Sequence, residues 1–422
     1  MNETGFNTTE HSDTAETYKT FVRQMENWYN EGEIPELAGQ DLRFVLELQK
    51  QKLKSLGLDM KCESTKAGTG QINTSCISFS DRIFINSIIS GNIDMTRSIV
   101  STQKNLSHNT ADIGLTPIIQ HLKDGTQPSD DMALCCPHCG APSTLGELQS
   151  GCKHCGTRFL ISELYPRVMN YFIYENNDSA KNAAKNKHDL TVLITACAIP
   201  LVTVGLIADL FKGQGQNMVL MIIIGILGRI FGGAILGVTL FVFKKLFEVL
   251  GLMGKQMRGG GHTISTLLYA NKIKRHDPEF SSEHFRDKIM SLFRMAVYSQ
   301  DATELACCKC KCPEKAADII EAQLHNFNIT NCIIKDMVCD VEVTLFLDCL
   351  HYKEGKVISK SDKYRMRMRK RIKNPTEIGF SFAAVNCPSC GASFDARNVK
   401  ACPYCNSEYL HEEHDWIITD LR

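Results

Sequence analysis

Hydrophobic and polar positions follow a helical period near the start of the chain. Residues 14–29 and 41–56 carry apolar side chains three and four positions apart, which predicts two amphipathic helices, the second stopped by Gly57. The residues from there to 130 are rich in Ser, Thr, Asn and Gly around short apolar patches, and they show no recognisable chemistry. We therefore predict a mostly helical accessory region over residues 1–130.

The period changes to two near the C-terminus, from about Thr330 onward. In the last long strand Met366 and Met368 point to one face, and the arginines between them point to the other. Helices followed by an antiparallel sheet predict an α+β domain over residues 276–422. Its predicted elements are helices at 277–301 and about 314–326 and strands at 337–352, 357–373 and 414–421.

Two apolar runs, 190–208 and 218–243, lie in the middle of the chain. The first has 19 residues without a charge, which as a helix span about 28 Å, close to the bilayer core of about 30 Å. A hairpin buried in a soluble core is the alternative, but two such runs in tandem favour a two-helix membrane hairpin over residues 190–243. We predict a linker helix at 166–189 before it and a basic, Gly-containing linker at 244–275 after it.

Charges around the hairpin predict its topology. Lys and Arg flank both outer ends, whereas the loop between the helices has one lysine offset by one aspartate. The positive-inside rule then predicts a multi-pass protein of the cytoplasmic membrane with both termini in the cytoplasm. Two Gly-x3-Gly spacings in the second run suit close packing within the hairpin or self-association into a homo-oligomer. Arg229 costs about 2.5–3.5 kcal/mol at the centre of a span, so it must be paired, hydrated or near an interface.

A repeated cysteine motif is the strongest chemical signal in the sequence. Residues 136–157 and 387–407 each contain Cys-x2-Cys, a spacer of 12 or 11 residues, and a second Cys-x2-Cys. Each Cys-x2-Cys turns the chain so that two sulfurs face one ion, and zinc prefers four thiolates in a tetrahedron. We predict two zinc ribbons, at 131–165 and 385–408, with two structural zinc ions. The predicted ligands are Cys136, Cys139, Cys152, Cys155, Cys387, Cys390, Cys402 and Cys405.

Other uses of the cysteines remain open. Redox Cys-x2-Cys pairs or disulfides are alternatives to zinc, although redox motifs do not occur as matched pairs at this spacing. His138 and His154 lie inside the first ribbon and could replace a cysteine as ligand, but the second ribbon lacks histidine at the equivalent positions. The cluster from Cys307 to Cys312 is either a metal or redox site or an incidental cysteine-rich loop.

Composition changes the picture only when it is divided by region. The 422 residues include 47 basic and 47 acidic side chains, so no bulk charge favours a nucleic-acid partner. The 19 cysteines fit metal binding in a reducing compartment better than a disulfide-stapled secreted domain. Residues 353–373 hold ten basic and two acidic residues. The basic face of this stretch includes Arg365, Arg367, Arg369 and Arg371. Contact with anionic lipid or with an acidic partner is one interpretation of this face, and plain exposure to solvent is the other.

The C-terminal residues also resemble a known family. Asp277-Pro-Glu-Phe280 opens the predicted helix, a hairpin turns around Gly355, a ribbon precedes the last strand, and the chain ends with His414-Asp-Trp-Ile-Ile. Together they resemble, over about 277–422, the bacterial domain related to the mitochondrial import-motor tether, the Tim forty-four-like family. The resemblance implies a nuclear transport factor two-like fold, with helices on a bent sheet around an apolar pocket. It also implies a scaffold at the membrane that contacts acidic lipid, and no catalytic residue.

These patterns predict a multidomain membrane protein that acts as a membrane-anchored scaffold. Its cytoplasmic ribbons and import-tether-like domain would bind an unidentified protein partner and anionic lipid, in membrane protein transport or assembly. The alternative is a small-ligand sensor or enzyme that uses the pocket of the C-terminal domain, with Asp340, Asp348 and His351 on its strand hairpin. Nucleic-acid binding through the ribbons is a third hypothesis, but aromatic residues interleaved with Arg or Lys are absent.

Overall fold

The computed structural model describes residues 8–64, 75–90, 93–101, 109–175, 179–210, 218–259, 264–373 and 377–422. The chain divides into two compact units. One unit contains the parts of the chain before and after the apolar hairpin, Met1–Asn176 and His262–Arg422, and the other contains the hairpin, Asn177–Gly261. We call the two parts of the first unit the N-terminal segment and the C-terminal segment.

The N-terminal segment contains two helices, a six-stranded sheet and a small cysteine-rich module. Its elements are α1 (Thr8–Glu31), α2 (Gln40–Ser55), β1 (Leu58–Ser64), β2 (Ser75–Ser80), β3 (Phe84–Ser90), β4 (Asp94–Ser101), β5 (Asn109–Leu122), β6 (Ala133–Cys135), β7 (Pro142–Thr144), α3 (Leu145–Ser150), α4 (Ile161–Leu164) and β8 (Arg167–Glu175). The antiparallel sheet has the order β1-β4-β5-β3-β2, with β8 also paired to β5. Phe21, Met25 and Leu46 of the helices share one core with Ile99 and Ile113 of the sheet.

Both predicted N-terminal helices are confirmed, but the prediction of a mostly helical region over 1–130 is wrong beyond Gly57. The short apolar patches that follow are strands, as in β3, where Phe84 and Ile89 are buried. Such short patches do not distinguish strand from helix by period, and pairing with distant strands decides between them. The predicted linker helix at 166–189 is wrong in its first half, since β8 pairs with β5 there.

The C-terminal segment places two helices beside a bent sheet. Its elements are α7 (Ile264–Lys274), α8 (Ser282–Tyr298), β9 (Ile319–Lys335), β10 (Val338–Lys353), β11 (Lys356–Arg371), β12 (Val385–Asn386), β13 (Ser393–Phe394) and β14 (Ile417–Leu421). The antiparallel sheet has the order β14-β11-β10-β9, and three register shifts between β9 and β10 bend it. The predicted helix at about 314–326 is wrong, because only a 3₁₀ turn at Glu314–Ala316 precedes β9.

Helix α8 lies at the centre of the C-terminal segment. Ser281 caps it by accepting a hydrogen bond from the backbone N–H of His284 at 3.0 Å. Its apolar face packs into the sheet core, where the Phe285 ring lies 5.1 Å from that of Trp416. Its polar face is buried as well, because it contacts the N-terminal segment. The sequence pattern alone predicts solvent on that face.

Lys288 on the polar face of α8 joins both segments. Its Nζ lies 3.1 Å from Oδ2 of Asp41 on α2 and 2.6 Å from Oδ2 of Asp415, two residues before β14. Burial by itself lowers the pKa of Lys288, but the two carboxylates raise that pKa above its ordinary value. Lys288 is therefore a buried cation between the buried carboxylate of Asp415 and the partly buried carboxylate of Asp41.

Further buried polar contacts cross the same boundary between the segments. Nearer the C-terminal end of α8, Arg294 donates from Nη1 to Oδ1 of Asn170 on β8 at 2.7 Å. Arg97 of β4 forms an ion pair with Glu321 of β9, and both side chains are buried. Polar groups without water are costly unless they are paired, so these contacts fix the relative position of the segments.

The residues that carry the family resemblance have structural roles. Asp277 forms a buried ion pair with Lys370 of β11 at 3.4 Å. The ring of Phe280 lies 5.3 Å from that of Phe285, in the core between α8 and the sheet. These contacts anchor the turn before α8, which itself begins at Ser282 and not at Asp277 as the sequence pattern predicts. The nuclear transport factor two-like fold implied by the resemblance stays a prediction.

The hairpin unit consists of α5 (Ser179–Leu210) and α6 (Met218–Gly259). Within these helices, Lys187–Ala208 and Ile222–Lys244 are long and apolar enough to cross a membrane. Their large side chains are exposed, with Val204 at 66% and Phe231 at 69%. Because α6 and α7 occupy most of 244–275, the predicted linker there is largely helical.

Glycines bring the two helices of the hairpin into close contact. A Cβ at Gly233 would lie 2.5 Å from the Cα of Ala198, and one at Gly237 would lie 2.6 Å from the Cα of Ile194. This Gly-x3-Gly spacing therefore packs α6 on α5. At the other spacing, Gly228–Gly232, a Cβ on either glycine would meet no described atom within 4 Å.

Two charged residues of α6 also contact α5. Arg229 extends over Gly205, where a larger residue would collide with the guanidinium group. Lys244 Nζ lies 2.7 Å from Oδ2 of Asp189, which joins the start of one apolar stretch to the end of the other. Helix α5 thus lies against Arg229, the charged residue inside the second apolar run of the sequence.

We predict that Lys288→Ala lowers the free energy of unfolding by about 3–5 kcal/mol, because Asp41 and Asp415 stay buried without their cation. Trp28 lies in the N-terminal segment and Trp416 in the C-terminal segment, and the chain has no other tryptophan. A Trp28→Phe background therefore leaves only the fluorescence of Trp416, and a Trp416→Phe background leaves only that of Trp28, so the unfolding of each segment is followed separately. Denaturant titrations of detergent-solubilised protein should show coincident transitions that shift together.

The matched control is Lys309→Ala, which removes a half-exposed lysine 3.1 Å from Glu412. We expect it to cost less than about 1 kcal/mol, since exposed pairs are screened by water. A Lys288→Ala protein in which only the Trp416 signal shifts would contradict the buried joint between the segments.

Candidate metal centres

All four Cys-x2-Cys turns of the two ribbons have the same backbone structure. In the first, the N–H of Cys136 donates to Ala141 O at 2.8 Å, and the N–H of Gly140 donates to Cys136 O at 2.8 Å. The same pair of bonds forms at Cys152, Cys387 and Cys402. The fifth residue of every turn has a left-handed backbone, which glycine or asparagine adopts most easily. These residues are Gly140, Gly156, Gly391 and Asn406, with φ of 75°, 75°, 73° and 58°.

The eight predicted cysteines form two separate groups of four. In the first ribbon the sulfurs of Cys136 and Cys155 are 3.7 Å apart, and those of Cys139 and Cys152 are 3.8 Å apart. In the second ribbon the corresponding distances are 3.5 Å and 3.8 Å. Four sulfurs at about 2.3 Å from one zinc ion lie about 3.8 Å from one another, so both groups fit tetrahedral zinc.

A hydroxyl group accompanies each group of sulfurs. Thr157 Oγ1 lies 3.3 Å from the sulfur of Cys155, and Ser407 Oγ lies 3.3 Å from the sulfur of Cys387. These hydroxyls lower the pKa of the Cys155 thiol and of the Cys387 thiol, each to about 5, which favours the thiolate form that binds metal. Sequence reasoning missed both residues, although a Thr or Ser two positions after the last cysteine repeats in both ribbons.

Each ribbon is built into the core of a different segment. Cys136, Cys152 and Leu148 of the first ribbon pack with Phe79 and Phe84 of the N-terminal sheet. The second ribbon contributes its buried residues to the core around α8. The ribbons thus extend existing cores, although a ribbon of this size makes little core by itself.

The two ribbons also contact each other through the residues that precede their first ligands. Cys135 donates from Sγ to Ala383 O at 3.4 Å, and Asn386 donates from Nδ2 to Asp131 O at 2.7 Å. Cys135 and Asn386 occupy equivalent positions of the repeat, so the contacts are reciprocal. The internal repeat of the sequence is therefore a pair of neighbouring modules.

The remaining cysteine and histidine candidates have other surroundings. His138 and His154 are exposed and lie outside the sulfur groups of the described structure. The Cys307–Cys312 stretch runs beside β14, where Ile418 donates from its backbone N–H to Cys307 O at 2.8 Å. Its cysteines form no three-ligand group in the part of the chain that is described. The sulfurs of Cys308 and Cys310 lie 3.8 Å apart, and the incidental loop and the metal or redox site both stay predictions.

Buried and exposed residues alternate along the C-terminal half of β11 as predicted, and this alternation places the four arginines on one face. Acidic neighbours compensate three of them. Asp340 accepts two hydrogen bonds from Arg369, at 2.8 Å and 3.1 Å. The pairs formed by the other two are Arg367 with Glu342 and Arg371 with Glu413. Arg365 is exposed and has no carboxylate partner in the described residues. The uncompensated part of the basic face is therefore smaller than the four arginines of the sequence suggest.

The polar groups of the enzyme alternative do not form one site. Asp340 pairs with Arg369, Asp348 accepts a hydrogen bond from Ser361, and His351 lies between two other aspartates. Core side chains pack between α8 and the sheet. A cavity of about 530 Å³ lies elsewhere, where the segments meet. Its walls include Phe84, Leu134, Tyr165, Phe380, Val385 and His414.

Comparison of the chain with protein-family models, with curated proteins and with solved structures found no match. The resemblance to the import-motor tether family stays a prediction. The ribbon geometry and the apolar hairpin therefore carry the functional argument.

We predict that Cys139→Ser and Cys390→Ser each lower the bound zinc by one ion per chain, and that the double variant loses two. Both cysteines are exposed, so serine removes a ligand without disturbing a core. Elemental analysis of protein purified without added metal measures the change. His138→Ala is the control and should keep its zinc, and a Cys139→Ser protein with an unchanged zinc content would contradict the first site.

Proposed function

We propose that the protein is a membrane-anchored scaffold whose two zinc ribbons and C-terminal domain bind a protein partner at the membrane surface. One observation carries the proposal. A folded unit with two four-cysteine modules is joined, before and after, to a pair of helices whose large apolar side chains are exposed. Exposed apolar surface of this extent needs a partner, and the lipid bilayer suits its length.

The division of the chain supports a hairpin topology for this anchor. The segments before and after the hairpin belong to one compact unit with a shared, buried set of ion pairs. We therefore propose that both segments lie on the same side of the membrane that the helices enter. The Lys and Arg residues that flank the helices favour the cytoplasmic side.

The ribbons are the surface that we propose for protein contact. Four thiolates leave no open position on a zinc ion, so the metal's role there is to hold the turns in shape. The tips of the turns are exposed, including His138 and Tyr404, the latter at 67%. We also propose an import-tether-like C-terminal domain, which the bent sheet on α8 and the buried Asp277 support.

Anionic lipid is the second contact that we propose. Arg365 and its neighbour Lys363 are exposed on one face of β11, whereas Asp340, Glu342 and other acids neutralise the arginines farther along. Each uncompensated basic group near an anionic surface contributes about 1 kcal/mol. The expected lipid contact is therefore weak and sensitive to salt.

The membrane anchor predicts that Leu227→Asp with Phe231→Asp releases the protein from membranes in an alkaline carbonate wash. Both side chains are exposed on α6, at 61% and 69%, and each aspartate costs about 2.5–3.5 kcal/mol at the centre of a span. Leu160→Asp, at a site 68% exposed in the other unit, is the control and should stay in the pellet. A parent protein released by the same wash would refute the anchor.

The scaffold role predicts a discrete protein adduct when a photoreactive residue replaces Tyr404 in intact membranes. The adduct should disappear in the Cys390→Ser background. Cys390 faces Cys402, and the zinc that they would share holds the turn that contains Tyr404 in shape. The same reagent at Arg365 should capture anionic phospholipid, less as salt increases, whereas Lys54 of α2 serves as an exposed control position. Equal capture at Tyr404 and Lys54 would contradict a ribbon interface.

A further inference from the structure

A third group of metal-ligating side chains lies on the strand hairpin, on elements separate from the two ribbons. Cys349 and His351 alternate along β10 and so face the same side of the sheet. Asp362 of β11 pairs with Leu347, one diagonal step from Cys349. One ligand atom from each of the three residues lies within 4.8 Å of the other two.

The hydrogen bonds of His351 are unusual for a neutral imidazole. Its Nε2 lies 2.6 Å from Oδ2 of Asp362, and its Nδ1 lies 2.8 Å from Oδ1 of Asp318. A neutral ring has one N–H, so it can donate to only one of these carboxylates. The second carboxylate then faces a nitrogen lone pair, unless a second proton or a metal ion lies between them.

We propose that Cys349, His351 and Asp362 form a third metal site of this protein, one that takes a zinc-like divalent transition metal and keeps one coordination position open. The ion would bind the thiolate sulfur, Nε2 of the ring and Oδ2 of the carboxylate. Binding transfers the thiol proton to solvent, and the thiolate and carboxylate then balance the two positive charges of the ion.

The groups around these three ligands hold them by hydrogen bonds, as the neighbours of metal ligands usually do. A ligating histidine usually donates its other ring N–H to a carboxylate, as Nδ1 can to Asp318. The other oxygen of Asp362, Oδ1, is held by Lys360 Nζ at 2.8 Å, which leaves Oδ2 for the ion. The structure contains both supports.

The donor set indicates the class of metal. One sulfur, one nitrogen and one oxygen suit zinc or cobalt, whereas calcium and magnesium prefer oxygen alone. Two ligands at about 2.0 Å in a tetrahedron lie about 3.3 Å apart, so Nε2 and Oδ2 must separate from 2.6 Å as the ion enters. Cys349 is buried, whereas the side chain of Asp318 is 32% exposed, so the group lies at the edge of the core.

Open coordination distinguishes this site from the ribbons. Three protein ligands leave the fourth position for water or for a group from another molecule, as in zinc sites that bind substrates. The inference is independent of the membrane anchor and of the scaffold role. The two ribbons provide an internal reference of two ions in the same chain.

The test uses the full-length protein in detergent, stripped with a chelator, reloaded with zinc and analysed for bound metal. We expect three ions in the parent and two in His351→Gln and Asp362→Asn. Cys339→Ser, a buried cysteine on the same strand and outside the group, should keep three. Asp318→Asn should keep three at saturation but weaken one of them by about 10–100-fold.

Cadmium nuclear magnetic resonance of the parent provides a readout that needs no substitution. Two resonances typical of four-sulfur sites and a third shifted toward mixed sulfur, nitrogen and oxygen ligands would establish the site. Two resonances only, with two zinc ions in both the parent and His351→Gln, would overturn the proposal.

Discussion

Buried Lys288 contacts an aspartate from each end of the chain, Asp41 and Asp415. A buried cation is costly unless it is paired, so these contacts favour the association of the N-terminal and C-terminal segments around α8. The apolar hairpin, α5 and α6, lies between these two segments in the sequence, so one core is built from residues on both sides of it in the chain.

The metal modules depend on the same joint. The first ribbon belongs to the core of the N-terminal sheet and the second to the core around α8, and the ribbons touch only because the segments do. Both cysteine groups are compatible with zinc, and a metal ion bound there would add to the folding free energy of modules that the association of the segments brings together. The ribbons thus connect the chemistry of the chain to its tertiary structure, while their exposed turns remain accessible to a partner.

The outcome for each predicted element follows from the range of the interactions that decide it. The helices over 14–29 and 41–56 have strong periodicity, and they are present within α1 and α2. The strands between 58 and 122 and the start of β9 were assigned wrongly, because pairing with distant strands outweighs local propensity. The polar face of α8 had the pattern of a solvated surface. Its burial depends on partners that lie more than a hundred residues away, as Asn170 does from Arg294.

The sequence by itself determined the eight cysteines of the two ribbons, because each pair of sulfurs is positioned within one turn of six residues. It also determined the two apolar helices, since length and composition are local properties. Only the tertiary structure decided that Asp340, Glu342 and Glu413 neutralise much of the arginine face. It alone brought Asp318 and Asp362 to His351, since strand register across a bulged sheet sets those distances. Interactions between residues far apart in sequence leave no spacing to recognise, and folding has to bring them together first.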